Sequence, residues 1–282
     1  MLFHLRHRLH YLYAAPAILE CQILRLRPRE DAHQRLFSHH LSVSPEPSLI
    51  SRGSDEFGNV ETRAWFLGET PDLTLEVQST VETVRVNPFD FIIEENWMTL
   101  PWEDRLAKVR PTLAPYLPAI KDSSLRGFAE GIRRDGGGEI LPFLLRLNKW
   151  LHERLARETR LEGPPRSPAE TILLGRGACR DLAVAFMALA RSQGIPSRFV
   201  TGYHEGDPAN PRKELHAWVE VFLPGGGWRG FDPSVGLAVA DRHIALAAAP
   251  EAPETAVVTG AFTSTRAGSQ LETEVLFLDE TA

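Results

Sequence analysis

Alternation of apolar and polar side chains dominates the first 87 residues and leaves few folds open. Phe3, Leu5, Leu9, Tyr11 and Tyr13 interleave with His4, Arg6, Arg8 and His10, and later Leu73, Leu75 and Val77 interleave with Asp72, Thr74, Glu76 and Gln78. A period of two puts each apolar set on one face of an extended chain, so these segments predict half-buried antiparallel strands. Cys21 to Leu26 reads as a further strand. Asp55-Glu56-Phe57-Gly58-Asn59 carries turn chemistry ahead of Val60 to Phe66, and the Pro-rich stretch Ser44 to Ser48 interrupts the pattern before it. Residues 1–87 are therefore expected to form a β-sandwich domain. His4, His7 and His10 would align on a helix, but a strand throws them onto opposite faces, so they are expected to be surface residues rather than metal ligands.

Beyond residue 87 the pattern changes. Prolines at 88, 101, 111, 115 and 118 rule out a long regular element, while Trp97, Trp102 and Tyr116 are too apolar for a free linker. Residues 88–138 are expected to be a Pro-rich connector with short helices, packed along both domains. After Gly136-Gly137-Gly138, the residues Ile140, Phe143, Leu144, Leu147, Leu151 and Leu155 recur at helical spacing and open a third segment, 139–282. The fold class expected is α+β.

Composition narrows the partners. A net charge of -6 spread along the chain leaves no electrostatic footprint for nucleic acid or an anionic membrane. No apolar run reaches the roughly 18 residues of a membrane span, and the alternating N-terminus does not read as a signal peptide. Only Cys21 and Cys179 are present, in segments assigned to different domains, which gives no disulfide framework and favours a reducing, cytoplasmic location.

Chemistry concentrates in Gly175-Arg176-Gly177-Ala178-Cys179-Arg180-Asp181, which precedes Leu182, Ala185, Phe186, Leu189 and Ala190 at helical spacing. Cys179 is thus expected at a helix N-terminus, where free N–H groups and the helix dipole stabilise a thiolate. Gly177 and Ala178 allow close approach of the chain. A buried structural cysteine would satisfy this feature alone, but the downstream pattern adds partners. Leu215 to Leu223 alternates, with His216, Trp218, Glu220 and Phe222 on one face, and the Pro224-Gly225-Gly226-Gly227 turn leads to a strand ending in Asp232. Asp232 can then lie beside His216 and orient it as the base for Cys179. Trp218 and Tyr203 are candidates to border a substrate cleft, and Asp181 is a candidate support behind the nucleophile in the first turn of the helix.

These residues, together with Gly194-Ile195-Pro196-Ser197-Arg198-Phe199-Val200-Thr201-Gly202-Tyr203, His216-Ala217-Trp218 and Phe231-Asp232-Pro233, resemble the bacterial transglutaminase-like cysteine proteases. The resemblance implies nucleophile, base and orienter for Cys179, His216 and Asp232. It extends to Leu24-Arg25-Leu26-Arg27-Pro28-Arg29 and Asp55-Glu56-Phe57-Gly58-Asn59, which look like the β-rich N-terminal region accompanying such cores, so that 139–282 would be a papain-like core with its Cys helix packed on an antiparallel sheet. Ser234 stands where relatives often have Thr, and Ala247 to Ala252 lacks the Gly-Arg-Asp-Tyr that one branch carries after its His-Ile pair, here His243-Ile244. A second oxyanion donor upstream of the Cys is implied, though Phe143, Asn148 and Trp150 are not distinguished by pattern. The expected activity is thiol-dependent hydrolysis of a peptide or protein amide without metal or cofactor, with acyl transfer by the same chemistry and a non-catalytic binding module as alternatives.

Overall fold

The structure is a computed structural model, and it describes residues 1–160, 163–206 and 212–278. The alternating N-terminal segments form β1 (Leu2–Leu19), β2 (Gln22–Leu24), β3 (Gln34–Ser44), β4 (Leu49–Ser54), β5 (Val60–Trp65) and β6 (Glu69–Thr83). There follow α1 (Arg105–Val109), α2 (Ser123–Asp135), α3 (Ile140–Arg154), β7 (Ala156–Arg157), α4 (Pro168–Leu174), β8 (Arg176–Gly177) and α5 (Cys179–Arg191). The chain ends in β9 (Ser197–His204), β10 (Arg212–Lys213), β11 (Leu215–Leu223), β12 (Gly227–Asp232), β13 (Leu237–Ala238), β14 (His243–Ala249), β15 (Val258–Thr259), β16 (Phe262–Ser264) and β17 (Ser269–Leu278). The fold is α+β, and its larger sheets are antiparallel. No helix among the described residues is long and apolar enough to cross a membrane.

In the first unit, a sheet of order β10-β17-β1-β6-β3 packs on one of order β15-β2-β5-β4. Leu9, Leu73, Leu75 and Val77 meet Leu24 and Leu26 between them, each such burial contributing about 1.5–3 kcal/mol. Residues 258–278, grouped with the core by sequence, return to this unit: β15 pairs with β2, and β16 and β17 pair with β1. Local alternation announces a strand but carries no information about a partner at the opposite end of the chain. His7 also departs from expectation. Its parity places it with Phe3, Leu5 and Leu9 on the covered face of β1, where it is 1% exposed.

The second unit is built around α5. A sheet of order β13-β12-β11-β9-β14 presents Phe199, Ala217, Val219, Val221 and Phe231 to one side of the helix. The connector covers α5 from elsewhere, its Trp97, Leu100, Trp102, Leu106 and Leu113 joining the same core as α2 and α3. Those aromatic residues belong to the core of the second unit, which explains why so Pro-rich a segment is so apolar. Gly194 marks the crossing: it has φ +82°, and a Cβ there would sit 2.4 Å from the Glu103 backbone.

The two units meet along a mixed seam. Phe3, Leu5, Val81 and Val275 pack on Tyr203, Ile244 and Leu246. Strand β14 is the edge of its sheet, and two side-chain amides from the first unit pair with it as a strand would. Ala245 N–H donates to Gln34 Oε1 at 2.8 Å while Gln34 Nε2 donates to Ala245 O at 2.9 Å. Ala248 N–H donates to Asn59 Oδ1 at 2.8 Å while Asn59 Nδ2 donates to Ala248 O at 3.1 Å. Asp55 holds Asn59 in place through both its side-chain and backbone N–H groups. The Asp55–Asn59 turn is therefore a docking device between the units.

Candidate active site

Cys179 opens α5, after Ala178 in an extended conformation (φ -74°, ψ 166°). Three features fix this turn. The parallel pair β7–β8 leads the chain into it, with Arg157 opposite Gly177. At Gly177 a Cβ would lie 2.9 Å from Asp181 Cβ and from Leu182 Cδ1, so only glycine admits the close approach. Asp181, fully buried, accepts from Ala178 N–H at 2.9 Å through Oδ2, and from Arg166 N–H at 2.8 Å and Arg160 Nη2 at 2.5 Å through Oδ1. Asp181 therefore ties the strand before Cys179 to the first turn of the helix after it, which is more than an interaction with the helix dipole.

The structure brings the three sequence-predicted residues together. The Cys179 thiol is half-buried, with the His216 side chain and the Ala217 N–H close enough to act on its ionisation. His216 projects from the start of β11, and its Nε2 lies 2.6 Å from Asp232 Oδ2 at the end of β12. With Nε2 engaged by the carboxylate, Nδ1 is the nitrogen left for the thiol. The line runs from a partly exposed thiol to a carboxylate with no exposure.

Burial and charge oppose each other along this line. Burial alone would raise the Cys179 thiol, but the hydrogen bond and charge of His216 and the Ala217 N–H outweigh it and bring it below its ordinary value. Burial would lower His216, yet the charge and hydrogen bond of Asp232, with Cys179 beyond, raise it to about 10. Burial would raise Asp232, and His216 with His243 holds it well below the usual carboxylate range. His216 therefore keeps its proton at neutral pH beside the ionised Asp232, and its charge favours the thiolate form of Cys179.

Asp232 has further partners that sequence reasoning did not assign. His243 Nε2 lies 3.0 Å from the same Oδ2, and Ser234 donates to Oδ1 from its backbone N–H at 2.9 Å and its Oγ at 2.7 Å. His204 packs on His243 with ring centroids 4.4 Å apart, and burial and the two neighbouring imidazoles push it down to about 3. The only sequence signal for His243 was its place in the His-Ile pair, and Ser234 was visible as the residue two after Asp232. His216, Asp232 and His243 put three potential metal-ligand atoms within 4.8 Å, but both imidazole Nε2 atoms already bond the one carboxylate oxygen.

Of the two expected cleft residues, one lies elsewhere and the other is buried beside His216. Tyr203 is fully buried in the seam, its hydroxyl 2.9 Å from His7 Nδ1, because its pairing with Leu215 and Ile244 turns it away from the His216 face. Trp218 shares that face but is 1% exposed, packed with Val200, Val239 and Ala248. Of the three upstream positions, Phe143 is in the core, Trp150 packs edge-on against Phe128, and Asn148 Nδ2 donates to Leu237 O.

Comparison with known proteins agrees with this architecture. Residues 3–82 match the bacterial transglutaminase-like N-terminal region, and residues 126–233 match the transglutaminase-like superfamily. An uncharacterised protein of Mycobacterium leprae is 25% identical over 276 residues, covering 95% of each chain. A protein-glutamine gamma-glutamyltransferase of Pseudomonas aeruginosa is 38% identical over 66 residues, which cover 21% of this chain and 10% of that one. A Cytophaga hutchinsonii crystal structure, described as a candidate cysteine protease, shares the fold with a TM-score of 0.70 at 20% identity over 99% of this chain and 98% of its own. The chain belongs to the transglutaminase-like superfamily and carries that superfamily's bacterial N-terminal region.

Proposed function

We propose that the protein is a thiol-dependent hydrolase of peptide or protein amides, with Cys179 as nucleophile, His216 as proton carrier and Asp232 as its orienter. The observation that carries this reading is the line of thiol, imidazole and carboxylate at the head of α5, with 2.6 Å between its last two members. A purely structural cysteine has no need of an imidazole that is itself tied to a buried carboxylate.

The chemistry follows from the charges. The Cys179 thiolate attacks the amide carbonyl carbon, and the carbonyl electron pair moves onto oxygen, where N–H groups at the start of α5 that lack intrahelical acceptors can receive it. As the tetrahedral intermediate collapses, the C–N bond breaks and His216 delivers its proton to the departing amine, leaving a thioester on Cys179. His216, now neutral, takes a proton from water as the water oxygen attacks the thioester. Release of the carboxylic product restores the thiolate and the imidazolium. Asp232 stays ionised throughout and fixes which nitrogen of His216 faces the thiol.

A primary amine in place of water would give acyl transfer from the same thioester, and the local likeness to a glutamine gamma-glutamyltransferase supports keeping that outcome in the test. The full chain is incubated with a peptide library, including glutamine-containing peptides, with and without a primary amine, and products and protein are read by mass spectrometry. Cleaved, deamidated or amine-bearing peptides that vanish with Cys179→Ala are expected, together with an acyl adduct on Cys179. Absence of both turnover and adduct across the library would contradict the proposal in favour of a binding module.

A further inference from the structure

Apart from the thiol site, the seam between the two units forms a half-open cavity of about 400 Å³ whose lining includes neither Cys179 nor His216. Arg29, Arg85 and Arg198 converge on it, with Trp218, Glu220 and His243 among its other walls. The three guanidinium groups differ in what neutralises them. Arg198 is matched by Glu220, with Nε and Nη2 at 2.7 and 2.6 Å from Oε2. Arg29 donates to the neutral Asn59 Oδ1. Among the described residues neither Arg29 nor Arg85 has a carboxylate within ion-pairing distance, and Arg85 Nε is buried without a hydrogen-bond partner. Asp31, the other acid on the wall, accepts from the backbone N–H groups of His33 and Gln34.

A second observation points the same way. Trp218 is 1% exposed, lines the cavity, and its Nε1–H is buried with no acceptor. A buried indole donor without a partner is unfavourable, so its persistence asks for an acceptor brought from outside. Burial, and then the charge of a neighbouring guanidinium, lowers both Arg29 and Arg85, with Arg198 acting on the first and Arg229 on the second. On the cavity wall the guanidinium groups of Arg29, Arg85 and Arg198 face only the carboxylates of Asp31 and Glu220. Planar guanidinium forks beside an indole N–H are donors only, and their complement is an oxyanion.

We propose that this inter-unit cavity is a binding site for a small ligand bearing an oxyanion, a carboxylate or a phosphate, held by Arg29, Arg85 and the Trp218 Nε1–H. The site goes beyond the proposed hydrolase activity and does not depend on it. His243 joins the two places, since it lines the cavity and its Nε2 bonds Asp232 Oδ2.

The test is isothermal titration of the full chain with succinate and, separately, with inorganic phosphate, each against sodium chloride at matched ionic strength. Saturable one-to-one binding of at least one oxyanion is expected, weakened about tenfold or more in Arg85→Gln, as loss of a charge-assisted fork requires. Trp218→Phe, which keeps the ring and removes only the N–H, serves as a second variant, and thermal unfolding confirms that both variants fold. No saturable binding of either anion would overturn the proposal. Wild-type affinity in both folded variants would do so as well, because the ion would then be held elsewhere.

Discussion

His216 and His7 are both almost completely buried, and their protons behave in opposite ways. His216 lies beside a buried carboxylate and is raised to about 10, whereas His7 lies between two hydroxyls, Tyr203 Oη at 2.9 Å and Thr273 Oγ1 at 3.1 Å, and is lowered by burial to about 4. Desolvation is unfavourable for the charged form in both places. A formal negative charge within hydrogen-bond distance overcomes it in one, and neutral partners do not in the other. The thiol corner therefore stores a proton at neutral pH, while the His7–Tyr203 corner of the seam remains uncharged and acts as packing.

The largest expected effect comes from making the first site resemble the second. Asp232→Asn leaves His216 with a neutral partner, so it should lose its proton in the resting protein, and the proposed turnover at pH 7 should fall on the order of 10³-fold or more. Steady-state kinetics checks this, and activity within tenfold of wild type would break the contrast. Gly202→Ala acts on the shared scaffold: its Cβ would sit 2.0 Å from Ile244 O and 2.6 Å from Trp218 Cη2, between β9 and β14. Forcing these strands apart should cost at least about 3 kcal/mol in denaturant unfolding.

How much of this was legible depends on the range of the interaction. Cys179, His216 and Asp232 could be read because each is announced locally, the first by a small-residue turn before a helical repeat and the others by alternation across a Gly-rich turn. His243 was not assigned a partner because it reaches Asp232 from β14, across β13 and a loop, and no pattern near it names the carboxylate. Tyr203 was misplaced for a related reason: being next to a site in sequence said nothing about the face on which the β9–β11 register would put it. The return of β17 to β1 and the docking of Asn59 on β14 are set by shape and hydrogen bonding over nearly the whole chain. By contrast, His7 could have been read as buried from its parity with Leu5 and Leu9.

Smaller effects sharpen the comparison through pH. The unfolded chain takes up a proton at His7 near 6.5, while the folded chain refuses it until about 4, so stability from this group is lost as pH falls through that window. The loss is on the order of 3 kcal/mol, and His7→Gln should flatten that part of a urea-denaturation profile. For His216 the sign is reversed: its contribution is complete below about 6.5 and is lost as pH rises through about 10. His216→Gln should therefore flatten the alkaline limb and leave the acid limb in place. Tyr203→Phe is the mildest change, leaving a buried His7 nitrogen unpaired at a cost of about 1–2 kcal/mol, with kcat/KM unchanged. A selective rise in KM would instead return Tyr203 to the substrate cleft.

Cys179 and Cys21 allow the central claim to be tested within one molecule, since His216 lowers the first thiol and burial raises the second. The rate of iodoacetamide alkylation at each is measured against pH by peptide mass spectrometry, in wild type and in His216→Ala. Rapid labelling of Cys179 well below pH 7, with Cys21 reacting only in alkaline solution and the difference abolished in the variant, is the expected result. Two thiols that titrate alike near their ordinary value, unaffected by loss of His216, would contradict the armed thiolate and with it the assignment of Cys179 as nucleophile.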